Sequence, residues 1–135
     1  MTDQPKEQRT FPFNFRSEFA VLVGCGKKLQ TVRATRKDNK VPRPGDRITA
    51  YTGLRTSKAL KIYDSTIVDC FPVQIDFDDA RPFVVNGVRL HKGEADAFAR
   101  LDGFPHATAM LEWFGKTHGP EGCFEGFCVQ WRSMS

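Results

Sequence analysis

GKKLQTVR, residues 26–33, sets a glycine, two lysines, a threonine and an arginine within eight positions. The residues before it carry a helical stripe: Phe15, Phe19, Leu22 and Val23 fall at i, i+4, i+7 and i+8. Asn14 is placed to cap the start of that helix. Gly24 and Gly26 end it, because glycine accepts the left-handed backbone of a helix C-terminus. Beyond them Thr31, Val32, Ala34 and Thr35 suit a strand. A helix stop followed by a strand entry predicts that Lys28 points into a cleft. It also predicts that Thr31 and Arg33, two residues apart, share one face of the strand.

The pattern continues outward from this junction. Residues 36–45, RKDNKVPRPG, hold two prolines and a glycine and read as a loop. RITAYT, residues 47–52, alternates as a second strand, and residues 53–61 are a polar, basic connection. Ile62 to Ile75 supplies further strand material, with a bend expected at Pro72. In FVVNGVRL, residues 83–90, Asn86-Gly87 between two apolar arms predicts a tight hairpin. Helices are expected over Gly93–Leu101, stopped by Asp102-Gly103, and from about Ala107 to Lys116. In the closing CFEGFCVQW, Phe127, Val129 and Trp131 share one face of a last strand. Strands at both ends, inserted helices and short antiparallel segments predict an α+β fold, a small mixed barrel with flanking helices.

The chain has 135 residues, of which 12 are phenylalanine, enough for one domain with its own core. Residues 1–12 read as a flexible, polar lead-in and residues 13–135 as the single domain. No apolar run is long enough to span a bilayer and the N-terminus lacks the pattern of a signal peptide, so a cytoplasmic protein is expected, with no membrane partner. The four cysteines form no C-x-x-C pair and read as reduced structural thiols. His91, His106 and His118 share no metal-ligand spacing and read as loop or surface residues, so neither metal nor cofactor is expected. Charge is segregated. Residues 27–61 carry eleven Lys and Arg against two Asp, a net of +9, which leaves −5 on the rest of a chain whose total is +4. A basic segment on an otherwise acidic protein predicts an anionic partner, with nucleic acid the commonest.

Four motifs stand in a fixed order. Phe15-x3-Phe19 and Val23 lead into Gly26-x-Lys28-x2-Thr31-x-Arg33, and Pro44-Gly45-Asp46 opens the next strand. Phe98-Ala99-Arg100-Leu101-Asp102-Gly103-Phe104 follows, and Glu112-Trp113-Phe114 precedes the closing Phe124-x-Gly126-x4-Trp131. This order resembles the ASCH domains, a branch of the PUA-like superfamily, over residues 13 to 132. The resemblance implies a PUA-like mixed β pseudo-barrel with flanking helices. It implies a cleft that binds RNA, a modified nucleoside or a nucleotide. Some members of the wider group are amidohydrolases acting on acetylated cytidine, and others are ribonucleases. Carried over by position, the amidohydrolase set falls on Lys28, Thr31 and Asp102. Asp102 departs from that pattern, which has glutamate, and its side chain is one methylene shorter.

The chemistry of these residue types is coherent. A threonine hydroxyl becomes a nucleophile when a base takes its proton, and a lysine serves once burial or neighbouring cations lower its pKa. An acid orients that lysine or protonates a leaving amine. The same residues also suit plainer roles: a strand threonine, a groove lysine, and an aspartate that caps a helix or pairs with Lys28 or Arg100. For a nucleic-acid contact the candidates are Lys27, Lys28, Arg33, Arg36, Lys37, Arg55, Lys58 and Lys61 toward phosphates, with Tyr51 to stack on a base. Single-stranded DNA is a further candidate partner. Trp113 and Trp131 sit in apolar periodicity and read as core. The favoured expectation is a binding module, followed by a hydrolase on the same cleft, and then by an interaction protein with a vestigial cleft.

Overall fold

A computed structural model of the chain describes residues 8–133. Seven strands and three helices form one mixed α+β unit: β1 (Thr10–Asn14), α1 (Ser17–Gly24), β2 (Gln30–Ala34), β3 (Arg47–Thr52), β4 (Leu60–Asp76), β5 (Phe83–Val85), β6 (Val88–Arg89), α2 (Lys92–Leu101), α3 (Ala107–His118) and β7 (Cys123–Trp131). No helix among the described residues is long and apolar enough to cross a membrane.

The long β4 organises the sheet. Its first part pairs antiparallel with β3, and its second part pairs antiparallel with both β7 and β5. A register shift between Ile67 and Asp69 separates the two parts. The exposed Val68 is the extra residue of a bulge there, whereas the pairing with β7 runs through Pro72, where a bend was expected, without a shift. Pro72 stays in the ladder, and its carbonyl accepts from the Asn86 amide at 2.9 Å. β1 runs parallel to β3 on one side, and β2 runs antiparallel to β7 on the other. No backbone ladder joins β1 to β2 among the described residues, so the strand path is open.

β1 revises the expected boundary. Phe11, Phe13 and Phe15 are buried while Thr10, Pro12 and Asn14 are exposed, the period of two that a half-buried strand requires. The domain thus includes residues 10–12, assigned above to the lead-in; residues 1–7 of that segment lie outside the described residues. Asn14 closes β1 instead of capping a helix, and its side chain accepts from the Leu54 amide at 2.8 Å. The helix starts later, with Arg16 at its N-cap position.

Two cores result, because β7 is covered on both faces. Phe127, Val129 and Trp131 join Phe11, Phe13, Phe15, Val23, Ile48, Ala50 and Ile67 in one. Phe124 and Cys128 join Val73, Ile75, Phe83 and the inner sides of α2 and α3 (Ala95, Phe98, Ala99, Met110, Phe114) in the other. The hairpin at Asn86-Gly87 has both residues at positive φ, 51° and 81°, as its sequence requires. Cys25, Cys70, Cys123 and Cys128 are free thiols.

Candidate functional site

Between the two cores lies a cavity of about 260 Å³. Phe15, Arg16, Phe19, Lys28, Thr31, Arg33, Asp102, Phe104, Trp113 and His118 border it. Its floor comes from the α1–β2 junction. Gly26, at φ 81°, turns the chain out of α1, and the Lys27 and Lys28 amides fold back onto the Leu22 carbonyl at 2.9 and 3.0 Å. That return aims the Lys28 side chain inward, where it is 3% exposed.

Asp102 arrives from the far end of α2. It is the C-cap residue, and its amide bonds the Ala99 carbonyl at 3.1 Å. Gly103 follows at φ 94°, and a Cβ there would come within 3.2 Å of Lys28 Cδ. A side chain at 103 would be both strained and in the way of the lysine. Lys28 Nζ donates to the Asp102 carbonyl and lies 3.5 Å from Asp102 Oδ2. It also sits 5.1 Å from the centre of the Phe19 ring, a cation–π distance. The buried Gln30 completes the setting. Its amide donates to Asp102 Oδ1 at 3.3 Å, and its carbonyl accepts from Gln130 Nε2 at 3.0 Å.

Thr31 and Arg33 share a strand face, as their spacing predicts. Arg33 Nε donates to Thr31 Oγ1 at 3.0 Å and Nη2 donates to the Asn14 carbonyl at 2.7 Å. The guanidinium rests 5.1 Å from the Phe13 ring centre and 5.0 Å from that of Phe15. One side chain thereby bridges β2 to the end of β1, where the sheet is open.

Burial dominates the electrostatics. It pushes the Asp102 carboxyl up to about 6 against the opposing pull of Lys28 and Gln30. It pushes Lys28 below its ordinary value against the pull of Asp102. Burial thus works against the charged form of each partner, and each partner's charge works against that effect in the other. Burial also lowers Arg33, to about 10.

Of the residues expected to contact nucleic acid, only Lys28 and Arg33 border this cavity. Lys27 is exposed on a separate groove with Leu29, Val68, Leu101 and Trp131. Arg36 pairs with Asp38 at 3.0 Å, and Lys61 pairs with Asp64. Lys37, Arg55 and Lys58 are exposed on the loops after β2 and β3, and Tyr51 sits half-buried in β3 opposite Asn14. The +9 segment is contiguous in sequence but not gathered around the cavity, because β2, β3 and the loops between them lead its members apart.

Other lining residues escape a motif-based reading. Trp113, expected in the core, is half-buried at the cavity with Arg16 over its ring at 5.2 Å. His118, expected on the surface, is exposed yet borders the cavity and stacks on Phe114 at 5.5 Å. Gln30 carries no sequence signal beyond lying one residue before Thr31. His91 and His106 stand at helix N-caps, where His106 accepts from the Ala109 amide at 3.1 Å. No group of three or more His, Cys, Asp or Glu among the described residues is arranged to hold a metal ion. Trp131 is core, as expected. Comparison of the chain with protein-family models, with curated proteins and with solved structures found no match.

Proposed function

We propose that this chain is a PUA-like domain of the ASCH type whose cavity binds a modified nucleoside or nucleotide. The observation that carries the reading is the meeting of Lys28 and Asp102, 74 residues apart in sequence, on the floor of one aromatic-walled cavity. A planar base needs such a site. Aromatic edges and faces from Phe19, Phe104 and Trp113 supply apolar contact, and a cation and an acid supply directional hydrogen bonds to its rim. The volume falls just under the range of about 300–1,000 Å³ for drug-sized ligands, which suits one base and its sugar better than several nucleotides. The dispersal of Lys37, Arg55, Lys58 and Lys61 also favours a single unit over a long RNA strand.

Calorimetric titration with cytidine, N4-acetylcytidine and a short single-stranded RNA tests the reading. Saturable binding of a nucleoside to the wild type, lost in a folded Lys28→Met variant, is the expected result. Absence of binding for all three at low salt overturns it.

A second reading, hydrolysis of an amide on the bound base, has one specific support. The Lys28 ammonium is destabilised by burial, which makes its neutral, basic form accessible, and Thr31 Oγ1 borders the same cavity with a guanidinium N–H already bonded to it. Release of acetate from N4-acetylcytidine by the wild type but not by Thr31→Val is its expected signature. No release by the wild type removes it and leaves the binding reading standing.

A further inference from the structure

We propose that the cavity selects a ligand carrying its own phosphate, a nucleoside monophosphate, with Arg16 and Arg33 as the phosphate-binding pair. The inference rests on the base-binding reading above and adds the chemical class of the ligand.

Charge balance in the cavity points this way. Lys28 has Asp102 as its counter-charge. Arg33 and Arg16 border the same cavity, and neither forms an ion pair with a carboxylate among the described residues. Glu18, on the helix that Arg16 caps, is engaged instead by the Trp113 indole N–H at 3.4 Å. The one carboxylate bordering the cavity, Asp102, faces Lys28 and also draws on Arg33, so three cations share a single protein acid and favour an anion from the ligand.

Arg33 is also preorganised. The Phe13 and Phe15 rings flank it, and Thr31 Oγ1 and the Asn14 carbonyl accept from Nε and Nη2. No hydrogen bond among the described residues engages Nη1. A held guanidinium loses little rotamer freedom on binding, which suits it to a phosphate oxygen. Arg16 follows Phe15 in the chain and lies over Trp113, so it flanks the same aromatic wall. Thr117, whose side chain carries a hydroxyl, also borders the cavity. A base on the Lys28–Asp102 floor shares the cavity with these two guanidiniums.

The test is a set of titrations with cytidine, N4-acetylcytidine, adenosine, guanosine and uridine and with the 5′-monophosphate of each, at 50 and 200 mM salt. For the base that binds, the monophosphate is expected to bind about tenfold tighter than the nucleoside. Arg16→Gln and Arg33→Lys, checked by thermal melting, are expected to narrow that gap by weakening the monophosphate more than the nucleoside. Equal affinity of nucleoside and monophosphate overturns the inference and spares the base-binding reading. Failure of every probe removes both. A 5′-phosphorylated trinucleotide binding more than tenfold tighter than the monophosphate, with a steeper salt slope, overturns it in favour of an RNA strand.

Discussion

Lys28 Nζ lies 3.5 Å from Asp102 Oδ2, and both residues are 3% exposed. The pair joins the start of β2 to the end of α2 and so ties the sheet to the helical layer at the cavity floor.

Removing one partner strands the other in a low-dielectric site. Lys28→Met is expected to cost about 3–5 kcal/mol at pH 8, and less at pH 5, where Asp102 takes up a proton. The double variant Lys28→Met/Asp102→Leu is expected to recover most of the loss, because no buried charge remains. Urea denaturation of the three proteins at both pH values measures this. A double variant no more stable than the single one contradicts it.

The pH dependence of stability has a definite sign. The Asp102 carboxyl moves from an ordinary 3.8 to about 6 in the fold, so between these values the folded chain holds a proton that the unfolded chain has released. Stability from this group is complete below about pH 4 and is lost as pH rises through 6, by on the order of 3 kcal/mol. Surface carboxylates act oppositely. Hydrogen bonds from Gln74 and Arg89 hold Asp76 at about 2, and such groups add stability as pH rises through the acid range. Subtracting the stability curve of Asp102→Asn from that of the wild type cancels those contributions. The difference should fall between pH 4 and 7, and a rising difference refutes the assignment.

Gln30 donates to Asp102 Oδ1 and accepts from Gln130. Gln30→Leu leaves both partners short of a bond, at a cost of about 1–3 kcal/mol. It also withdraws a donor from the carboxylate, so the Asp102 titration should move above its wild-type position. Carbon-13 NMR of the side-chain carboxyl reads that shift directly. An unchanged midpoint would show that Gln30 serves packing alone.

Gly126 lies in β7 opposite Ala34 of β2. An added Cβ would lie 2.1 Å from the Arg33 carbonyl oxygen and 2.9 Å from the Phe124 ring. Gly126→Ala should therefore destabilise by about 1–3 kcal/mol or more and weaken ligand binding, since β2 must retreat with Thr31 and Arg33. Gly93 provides the contrast. It lies exposed in α2 with room for a Cβ at 3.6 Å from the His91 ring, and Gly93→Ala should stabilise by up to about 1 kcal/mol. Thermal melts of both variants decide, and a tolerated Gly126→Ala would show that β2 has slack.

The sequence by itself determined the local elements. Alternation marked β3 and one face of β7, Asn86-Gly87 marked the hairpin, and Asp102-Gly103 marked the end of α2, because period and turn chemistry act over a few residues. It also placed Thr31 and Arg33 on one face, since that follows from the pleat alone. The phenylalanine alternation at 11, 13 and 15 was legible too, but Phe15 and Phe19 fit a helical spacing equally well. Only the edge offered by β3 made residues 10–14 a strand.

Tertiary structure decided everything that depends on pairing across distance. It put Lys28 against Asp102, brought Gln30 and Gln130 behind them, and drew Trp113 and His118 to the cavity. It also scattered the basic segment that looked continuous in the chain. Hydrogen-bond partners, burial and the charge balance of a site are set by segments tens of residues apart. No short window of sequence contains them.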